Sequence, residues 1–465
     1  MSNIDKMEGA GNAGEQANCE GVGSTTVNSL LLNLAVAGGA SAPSPGRGYK
    51  ALVCLFLDGG NDSFNMLVPT EPGEFARYRA ARGDLALPRE GLLGLRGAAG
   101  ADAARSFGLH PSLPRVRDLH DQGRLSFVCN VGTLVEPTDL AGLNGARARL
   151  PLGLYSHADQ VMHWQTSIPD SRASVGWAGR AAEILQSMNR DNGISMNVSL
   201  SGTNVFQSGR SLVPYSITPD GAALLDGYSD PARPFFAKAV DSLLGQRYPN
   251  VLKQAYAGLT RDSIKSAGYF LDAWRRAPRV ATAFPGTRLG KSLRGVAQGI
   301  AARDNLGARR QTYFVKAPGW DHHDEVLASQ AAMLADVDAS VAAFWTAMGE
   351  LGLQDDVLLF TASDFGRTLS SNGKGSDHGW GGNQFILGGA HRGGRLYGSY
   401  PDDLSLGNGL DTGRGRLIPT LSVDAFFCEL ALWLGVGKGD IPAVLPNIGR
   451  FHDLNGAAAP LGFLN

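Results

Sequence analysis

The composition of the 465-residue chain, 43% hydrophobic and 18% charged, is typical of a globular protein and excludes a fibrous or fully disordered one. A formal net charge of −1 gives no global field that would attract nucleic acid or an anionic membrane. The four cysteines are far apart and lack CxxC spacing, so neither a disulfide framework nor a zinc finger is predicted.

The first 48 residues differ in composition from the rest of the chain. Residues 1–24 are rich in Gly, Glu, Asn and Ala and predict a disordered tail. The stretch SLLLNLAVAGGASA at 29–42 resembles the apolar part and cleavage region of an export signal, although Lys6 is the only basic residue before Arg47. A short helix packed on the domain is the alternative interpretation. The stretch is too short to span a bilayer, and no later segment predicts a membrane span.

From Tyr49 onward, short apolar strands alternate with helical patterns. The predicted strands are 50–57, 124–132, 194–200, 312–317 and 356–363, and the predicted helices are 111–122, 158–167, 176–188, 234–257, 325–351 and 423–434. Near-continuous apolar strands suit a sheet that is covered on both faces, and the alternation implies right-handed crossovers. The sequence therefore predicts one α/β domain over 49–465, with a doubly wound, mostly parallel sheet and helices on both faces. Residues 214–310 are predicted to be a helical insertion or cap.

Acidic residues and histidines follow three of the predicted strands. They are Asp58 and Asp62 after the first strand, Asp321, His322 and His323 after the fourth, and Asp364, Asp377 and His378 after the fifth. Arg367 also follows the fifth strand. The carboxyl ends of parallel strands meet at one edge of a sheet, so these side chains are expected to lie close together. Mixed nitrogen and oxygen ligands suit zinc, manganese or iron, whereas calcium and magnesium prefer oxygen alone. The pattern predicts a site for a divalent metal ion.

Each of these residues also has a purely structural interpretation. Asp58 or Asp62 suits a turn or a helix N-cap, and the histidine pair suits a surface loop. Asp364 could form an ion pair with Arg367. Their joint placement after successive strands is what favours a site over a set of unrelated turns.

Ser156 is a candidate nucleophile at the start of the helix predicted over 158–167. Asp159 follows three positions later, as in a capping box, so a capping role is the alternative. A metal ion and a helix N-terminus beside a serine would both favour deprotonation of its hydroxyl and stabilise the anion that the reaction forms. His157, the next residue, suits a metal ligand or a proton carrier.

Eight separated blocks of the sequence resemble one bacterial family. They are LVCLFLDGGNDSFNMLVP, YSHADQ, VGWAGR, GWDHHDE, TASDFGRTLSSNG, GSDHGWGGNQFILGG, GGRLYG and PTLSVDAFFCELALWLGV. From about Tyr49 to Phe451 the chain resembles the domain of unknown function 1501 family. The resemblance implies a place in the alkaline phosphatase superfamily, beside sulfatases, phosphatases and cofactor-independent phosphoglycerate mutases. It also implies a one- or two-metal site and a Ser, Thr or formylglycine nucleophile.

The resemblance carries over to particular residues. It implies metal ligands at Asp58 or Asp62, Asp321, His323, Asp364 and His378, with Ser156 where the helix that bears the nucleophile starts. One expected ligand is absent, because Phe365 stands where the superfamily has a histidine. No cysteine lies in the CxPxR setting that formylglycine formation requires.

Two functions follow as hypotheses. The first is a metal-dependent hydrolase of sulfate or phosphate esters, of small molecules or glycans, in which Ser156 or a water attacks in line and His157 or Arg367 assists. The second is a non-catalytic metal- or carbohydrate-binding protein of the same fold, which the substitution at Phe365 favours. The family resembles twin-arginine exported proteins, which implies a periplasmic or extracellular location. This chain lacks the arginine pair, so a cytoplasmic location and the oligomeric state stay open.

Overall fold

The computed structural model describes residues 48–464 apart from 98, 101–104, 190–192, 223, 224, 226 and 229. The signal-like segment at 29–42 and Cys19 lie outside the described residues. Cys54, Cys129 and Cys428 are buried, as expected for small core residues.

The strands of the described residues are short, and the longest are those that the sequence predicts. They are β1 Lys50–Asp58, β2 Leu67–Pro69, β3 Leu93–Gly94, β4 Ala99–Gly100, β5 Phe107–Leu109, β6 Leu125–Gly132, β7 Asn197–Ser199, β8 Tyr215–Thr218, β9 Gly221–Ala222, β10 Arg310–Pro318, β11 Val357–Ser363, β12 Arg367–Ser371, β13 Ser376–His378, β14 Gly382–Leu387, β15 Arg395–Gly398 and β16 Leu421–Ser422.

The helices lie mainly between these strands. They are α1 Ser63–Met66, α2 Pro72–Arg82, α3 Pro114–Asp121, α4 Leu140–Asn144, α5 His157–Thr166, α6 Trp177–Leu185, α7 Pro234–Gly245, α8 Val251–Arg276, α9 Arg288–Ala301, α10 Val326–Glu350, α11 Val423–Leu434 and α12 Ile441–Val444.

One eleven-stranded sheet organises the fold, in the order β4-β15-β6-β14-β11-β1-β10-β7-β8-β9, with β16 beside β6. Its pairings are parallel except where β14 or β9 takes part. The chain goes from β11 to β14 through the β12–β13 ribbon rather than through a crossover helix, which explains why β14 runs antiparallel to β11. The prediction of an α/β fold with a mostly parallel sheet is confirmed.

Both faces of the sheet are covered. Along β1, Val53 and Leu55 point into one hydrophobic core, whereas Cys54 and Phe56 point into the other. Helices α3, α9 and α10 contribute to the first core, and α6, α11 and α12 contribute to the second. This two-sided burial explains why β1 is apolar at every position between Lys50 and Asp58.

The helical prediction for residues 214–310 is only partly right. The helix predicted over 234–257 is two helices, because Pro249 interrupts it and the side chain of Asn250 caps α8 by accepting from the backbone N–H of Lys253. Strands β8 and β9 extend the main sheet, and α9 packs in the core. Helix α7 and the first two turns of α8 remain exposed.

Helix α10 is, among the described residues, the one helix long and apolar enough to cross a membrane. Its buried face includes Gln330 and Asp338, and Asp338 accepts from the backbone N–H groups of Arg115 and Val116 at the start of α3. Burial against other elements with polar side chains on the buried face is the pattern of a core helix.

Candidate metal centre

The candidate site lies where β1, β10 and β11 end side by side. In the strand register Asp58 pairs with Pro318 and Leu57 pairs with Ser363. The loops that follow these strands therefore start at the same edge of the sheet. The chain turns into α5 at the same place, which brings His157 to the loops after β10 and β11.

Four donor groups converge at this edge. His157, Asp321 and His378 each offer one ligand atom, and these atoms lie within 4.8 Å of one another. Nε2 of His157 and Nε2 of His378 are each 3.4 Å from a carboxylate oxygen of Asp321. Nε2 of His323 is 3.0 Å from Asp321 Oδ1 and 2.9 Å from Nε2 of His378. The structure thus brings together Asp321, His323 and His378, three of the predicted ligands, and adds His157.

The other ring nitrogen of each imidazole has an oxygen partner. Nδ1 lies 2.7 Å from Asp364 Oδ2 in His157, 3.0 Å from Asp377 Oδ1 in His323, and 2.7 Å from the carbonyl oxygen of Tyr155 in His378. Carbonyl and carboxylate oxygens only accept, so each Nδ1 carries the proton and donates. In the neutral form of each ring the lone pair is then on Nε2, and each of the three Nε2 atoms lies near a carboxylate oxygen of Asp321.

This arrangement fits a metal ion. Lone pairs of two Nε2 atoms at 2.9 Å repel each other unless a cation or a proton lies between them. Nε2 of His157 is buried and has no hydrogen-bond partner. Ligand atoms of a tetrahedral zinc ion with bonds of 2.0–2.1 Å lie roughly 3.3 Å apart. The pairs that involve Asp321 and the His323–His378 pair are separated by 2.9–3.4 Å, and the ligand atoms of His157, Asp321 and His378 all lie within 4.8 Å of one another. Histidines that donate Nδ1–H to a carboxylate or carbonyl are the usual form in metal sites.

The charges at the site are consistent with ligand roles. Partial burial works to raise the pKa of Asp321, but the hydrogen bond and charge of Arg367 and the nearby imidazoles outweigh it, so that pKa is lowered. Burial lowers the pKa of His378, which favours its neutral, ligating form. The hydrogen bond to Asp364 raises the pKa of His157 despite its burial, which favours the protonated ring and therefore opposes metal binding at this residue.

Asp364 is placed to orient a ligand. Its Oδ1 accepts from the backbone N–H of Gly59 at 2.9 Å, and its Oδ2 accepts from His157 Nδ1–H at 2.7 Å. Both carboxylate oxygens are thereby engaged, and the side chain is buried. The sequence predicted Asp364 as a ligand, whereas the structure makes it the partner that fixes the ring of His157.

Asp58 and Asp62 are not brought into the cluster. Asp58 Oδ2 lies 2.9 Å from Nζ of Lys316 on the neighbouring strand β10. Asp62 is fully buried in an ion pair with Arg82 of α2, which also donates to the backbone carbonyl of Thr368. Both carboxylates follow the predicted strand, but each points to a cation from another element. Among the described residues, the donor group of His157, Asp321 and His378 therefore does not include these two predicted ligands.

Arg367 holds the three loops together instead of facing a substrate. Its guanidinium is fully buried and donates to the backbone carbonyls of Gly59, Gly60, Trp320 and Ser376 as well as to Asp321. A cation engaged in this way is not available for the oxygens of a bound ester. These contacts are those of a residue that positions the loops, and the catalytic role of Arg367 stays a prediction.

Ser156 lies between two residues that touch the cluster. It is the N-cap residue of α5, but its side chain makes no capping hydrogen bond, and Asp159 is instead paired with Arg172. The predicted capping box is therefore wrong. Tyr155 has a φ of 73°, a left-handed conformation that is unfavourable outside glycine and that aims its carbonyl at His378. Ser156 is half-buried beside His157.

A strap formed by residues 405–417 supports the site from outside. The buried carboxylate of Asp411 shapes the strap by accepting from the backbone N–H groups of Gly407, Gly413 and Gly415. Arg414 of the strap donates to Asp377, the partner of His323. Nε of Arg416 donates to the carbonyl oxygen of His378 at 3.1 Å. No local sequence pattern indicates the strap, because its contacts with the site join residues that are far apart along the chain.

Phe365 packs directly on the ligands. Its ring centroid lies 4.8 Å from that of His157 and 4.6 Å from that of His378. An aromatic side chain there restricts the rotation of both imidazoles. Phe365, which stands where a histidine is expected, thus packs against the imidazoles of His157 and His378.

Comparisons with known proteins support the family resemblance. The model of the DUF1501 family, described as a protein of unknown function, matches residues 266–407, which is less than a third of the chain. The matched region contains Asp321, His323 and His378 but not His157. No curated protein sequence gives a significant match.

Solved structures show only distant similarity. Ps i-CgsB in complex with k-i-k-neocarrahexaose is 12% identical, with 88% of this chain and 78% of that chain covered and a TM-score of 0.34. Thermus thermophilus alkaline phosphatase is 14% identical, with coverages of 73% and 64% and a TM-score of 0.30. A Bacteroides thetaiotaomicron protein from a study of the metabolism of multiple glycosaminoglycans is 11% identical, with coverages of 84% and 74% and a TM-score of 0.31.

Proposed function

We propose that this chain is a metal-dependent hydrolase of sulfate or phosphate esters, with the esters of small molecules or glycans as its substrates. Ser156 is the residue before His157 in the sequence. The observation that carries the proposal is that His157, Asp321 and His378 form one group of donors at a solvent-facing edge of the sheet, with His323 in contact with Asp321 and His378. These four residues would hold one divalent cation, for which the nitrogen-rich donor set favours zinc, with manganese or iron as alternatives.

The site is open enough for a substrate. The side chains of Asp321 and His323 are each 44% exposed, so an ester can approach from solvent. A closed structural zinc site would bury its ligands, whereas a catalytic site keeps a position free. A bound divalent cation would polarise an ester oxygen and lower the pKa of a neighbouring hydroxyl or water.

Residues of the chain would supply the nucleophile and hold the imidazoles in place. Ser156 offers a hydroxyl at the N-terminus of the ten-residue helix α5, where the helix dipole favours the negative charge of a bound sulfate or phosphate. Attack by that hydroxyl would transfer the sulfuryl or phosphoryl group to Ser156 and release the alcohol, which takes up the hydroxyl proton; water would then hydrolyse the serine ester and release sulfate or phosphate. Direct attack by water would give the same alcohol and anion in one step. Asp364, Asp377 and the Tyr155 carbonyl keep the three imidazoles fixed while this happens.

One observation favours the second candidate, a metal-binding protein without catalysis. The buried guanidinium of Arg367 is not available to balance the charge on the oxygens of a transferring group. A metal centre without such a cation could still bind an anionic ligand.

The experiment compares metal content and turnover in matched variants. The full chain is stripped with a chelator, reloaded with zinc, manganese or iron, and analysed for metal per chain. Nitrophenyl sulfate and nitrophenyl phosphate report hydrolysis. The variants are Asp321→Ala with His378→Ala, and Ser156→Ala. The control is Asp324→Ala, because this carboxylate lies on the same loop with a side chain 64% exposed.

The outcomes separate the two candidates. The hydrolase is supported if the double variant loses metal and turnover together while Asp324→Ala keeps both. Loss of turnover alone in Ser156→Ala assigns the nucleophile. Metal binding without turnover of either ester supports the non-catalytic candidate. If the wild-type chain takes up no metal, the proposed centre does not exist.

A further inference from the structure

A helical hairpin carries most of the exposed large apolar side chains that the described residues show. It is the α7–α8 hairpin, residues Pro234–Arg276. No side chain of α7 is buried, and the first two turns of α8 are exposed as well. Exposed apolar residues that are scattered singly need no explanation, but a cluster on one protruding element marks an interaction surface.

The apolar residues follow the helical repeat. On α8, Leu252, Tyr256 and Leu259 are spaced four and three residues apart, which places them on one face. On α7, Phe235 and Leu243 are two turns apart and share a face in the same way. Phe235 and Leu252 are each 80% exposed. Among the residues that the structure describes, no element covers these apolar side chains.

The charge of the hairpin differs from that of the whole chain. Residues 234–276 contain seven Lys or Arg and three Asp, whereas the chain has a formal net charge of −1. Lys238, Arg247 and Lys253 are exposed close to the apolar residues. Asp241 accepts from the hydroxyl of Tyr228 at 2.6 Å, so part of the acidic charge is already engaged within the protein. The exposed surface is both apolar and basic.

We propose that the α7–α8 hairpin docks on an anionic lipid surface. Apolar side chains beside basic ones are the combination that enters the boundary between headgroups and acyl chains, and binding strength grows with both contributions. Long lysine and arginine side chains can reach the headgroups while the apolar faces lie deeper. A second copy of the chain is the less suitable occupant, because a two-fold interface would bring Lys238, Arg247 and Lys253 against the same positive charges.

The test measures binding of the full chain to vesicles by sedimentation. Vesicles of phosphatidylcholine alone are compared with vesicles that also contain phosphatidylglycerol, at low and high salt. Phe235→Asp with Leu252→Asp removes the apolar contact, and Lys238→Glu with Lys253→Glu reverses charge. The matched control is Val213→Asp, because Val213 is 70% exposed but lies outside the hairpin. The N-terminal segment is the same in every variant, so differences report on the hairpin.

The expected result is binding to the anionic vesicles that weakens at high salt. The apolar double variant should bind about tenfold more weakly or worse, and the charge variant should lose the preference for phosphatidylglycerol. Val213→Asp should bind like the wild type. The proposal is overturned if no vesicle binds the wild type or if the hairpin variants bind unchanged. A dimer seen by light scattering and abolished by the same variants, without vesicle binding, would instead assign the face to a second copy.

Discussion

Nδ1 of His157 lies 2.7 Å from Oδ2 of Asp364, which links the start of α5 to the end of β11 across the candidate site. The same carboxylate accepts from the backbone N–H of Gly59 after β1. One buried side chain thus aligns three segments that are far apart in the sequence.

Asp364→Asn is expected to weaken metal binding about 10- to 100-fold. An amide has one acceptor oxygen, so either Gly59 N–H or His157 Nδ1–H would face an NH2 group. Titration of the stripped chain with zinc in competition with a coloured chelator measures the affinity. Asp324→Asn on the exposed rim is the control and should bind like the wild type. An unchanged affinity in Asp364→Asn would show that this carboxylate does not orient the ligand.

The close approach of Gly59 to the Asp321 loop gives a second prediction. A Cβ on Gly59 would lie 2.5 Å from the backbone nitrogen of Asp321, whereas one on Gly48 would have nothing within 4 Å, and both glycines have a φ of 124°. Both substitutions have the same cost from the backbone conformation, so this cost cancels in the comparison. Gly59→Ala should therefore be less stable than Gly48→Ala by about 2 kcal/mol, which is the cost of overpacking. Urea unfolding of both variants measures the difference. Equal stabilities would contradict the close contact.

The strap at 405–417 should influence metal affinity without touching the metal. Arg414→Ala removes the donor that holds Asp377, which in turn accepts from His323 Nδ1–H. The hydrogen bonds of Asn372, His323 and Arg414 lower the pKa of Asp377 to about 2 against the opposing effect of its burial. The affinity for zinc should fall about tenfold. Arg172→Ala, which breaks an exposed ion pair with Asp159, should leave it unchanged. Equal effects of the two variants would argue against a role for the strap.

A buried carboxyl group remote from the site predicts the pH dependence of stability. Burial raises the pKa of Asp424 to about 7, with Ser167 and Arg180 opposing the shift. Because the folded state holds this proton to higher pH than the unfolded state, the free energy of unfolding should decrease as the pH rises from about 4 to 7. Asp424→Asn cannot ionise. The difference in free energy of unfolding between this variant and the wild type should therefore shift in favour of the variant from pH 4 to pH 8, by on the order of 4 kcal/mol. Urea unfolding across this range measures it. A difference that is independent of pH would show that Asp424 has an ordinary pKa.

The main strands and the edge that bears the site could be predicted from the sequence. The run at β1 is apolar at every position between its ends, and those at β6 and β11 are mostly apolar, which is the pattern expected of strands covered on both faces. Acidic residues and histidines directly after such strands must emerge at the carboxyl edge of the sheet. Antiparallel β14 and the strap were missed, because their partners are distant in the sequence and no local pattern encodes them.

The sequence by itself determined a two-sided α/β sheet and a set of potential ligands at its edge, since burial and strand direction follow from local patterns. Only the tertiary structure decided which of those side chains converge. Asp58 forms an ion pair with Lys316, and Asp62 forms one with Arg82. Arg367 is buried among backbone carbonyls. His157, the first residue of helix α5, belongs to the same group of donors. The direction of a charged side chain depends on the charges that other elements place beside it, and those meet only after folding.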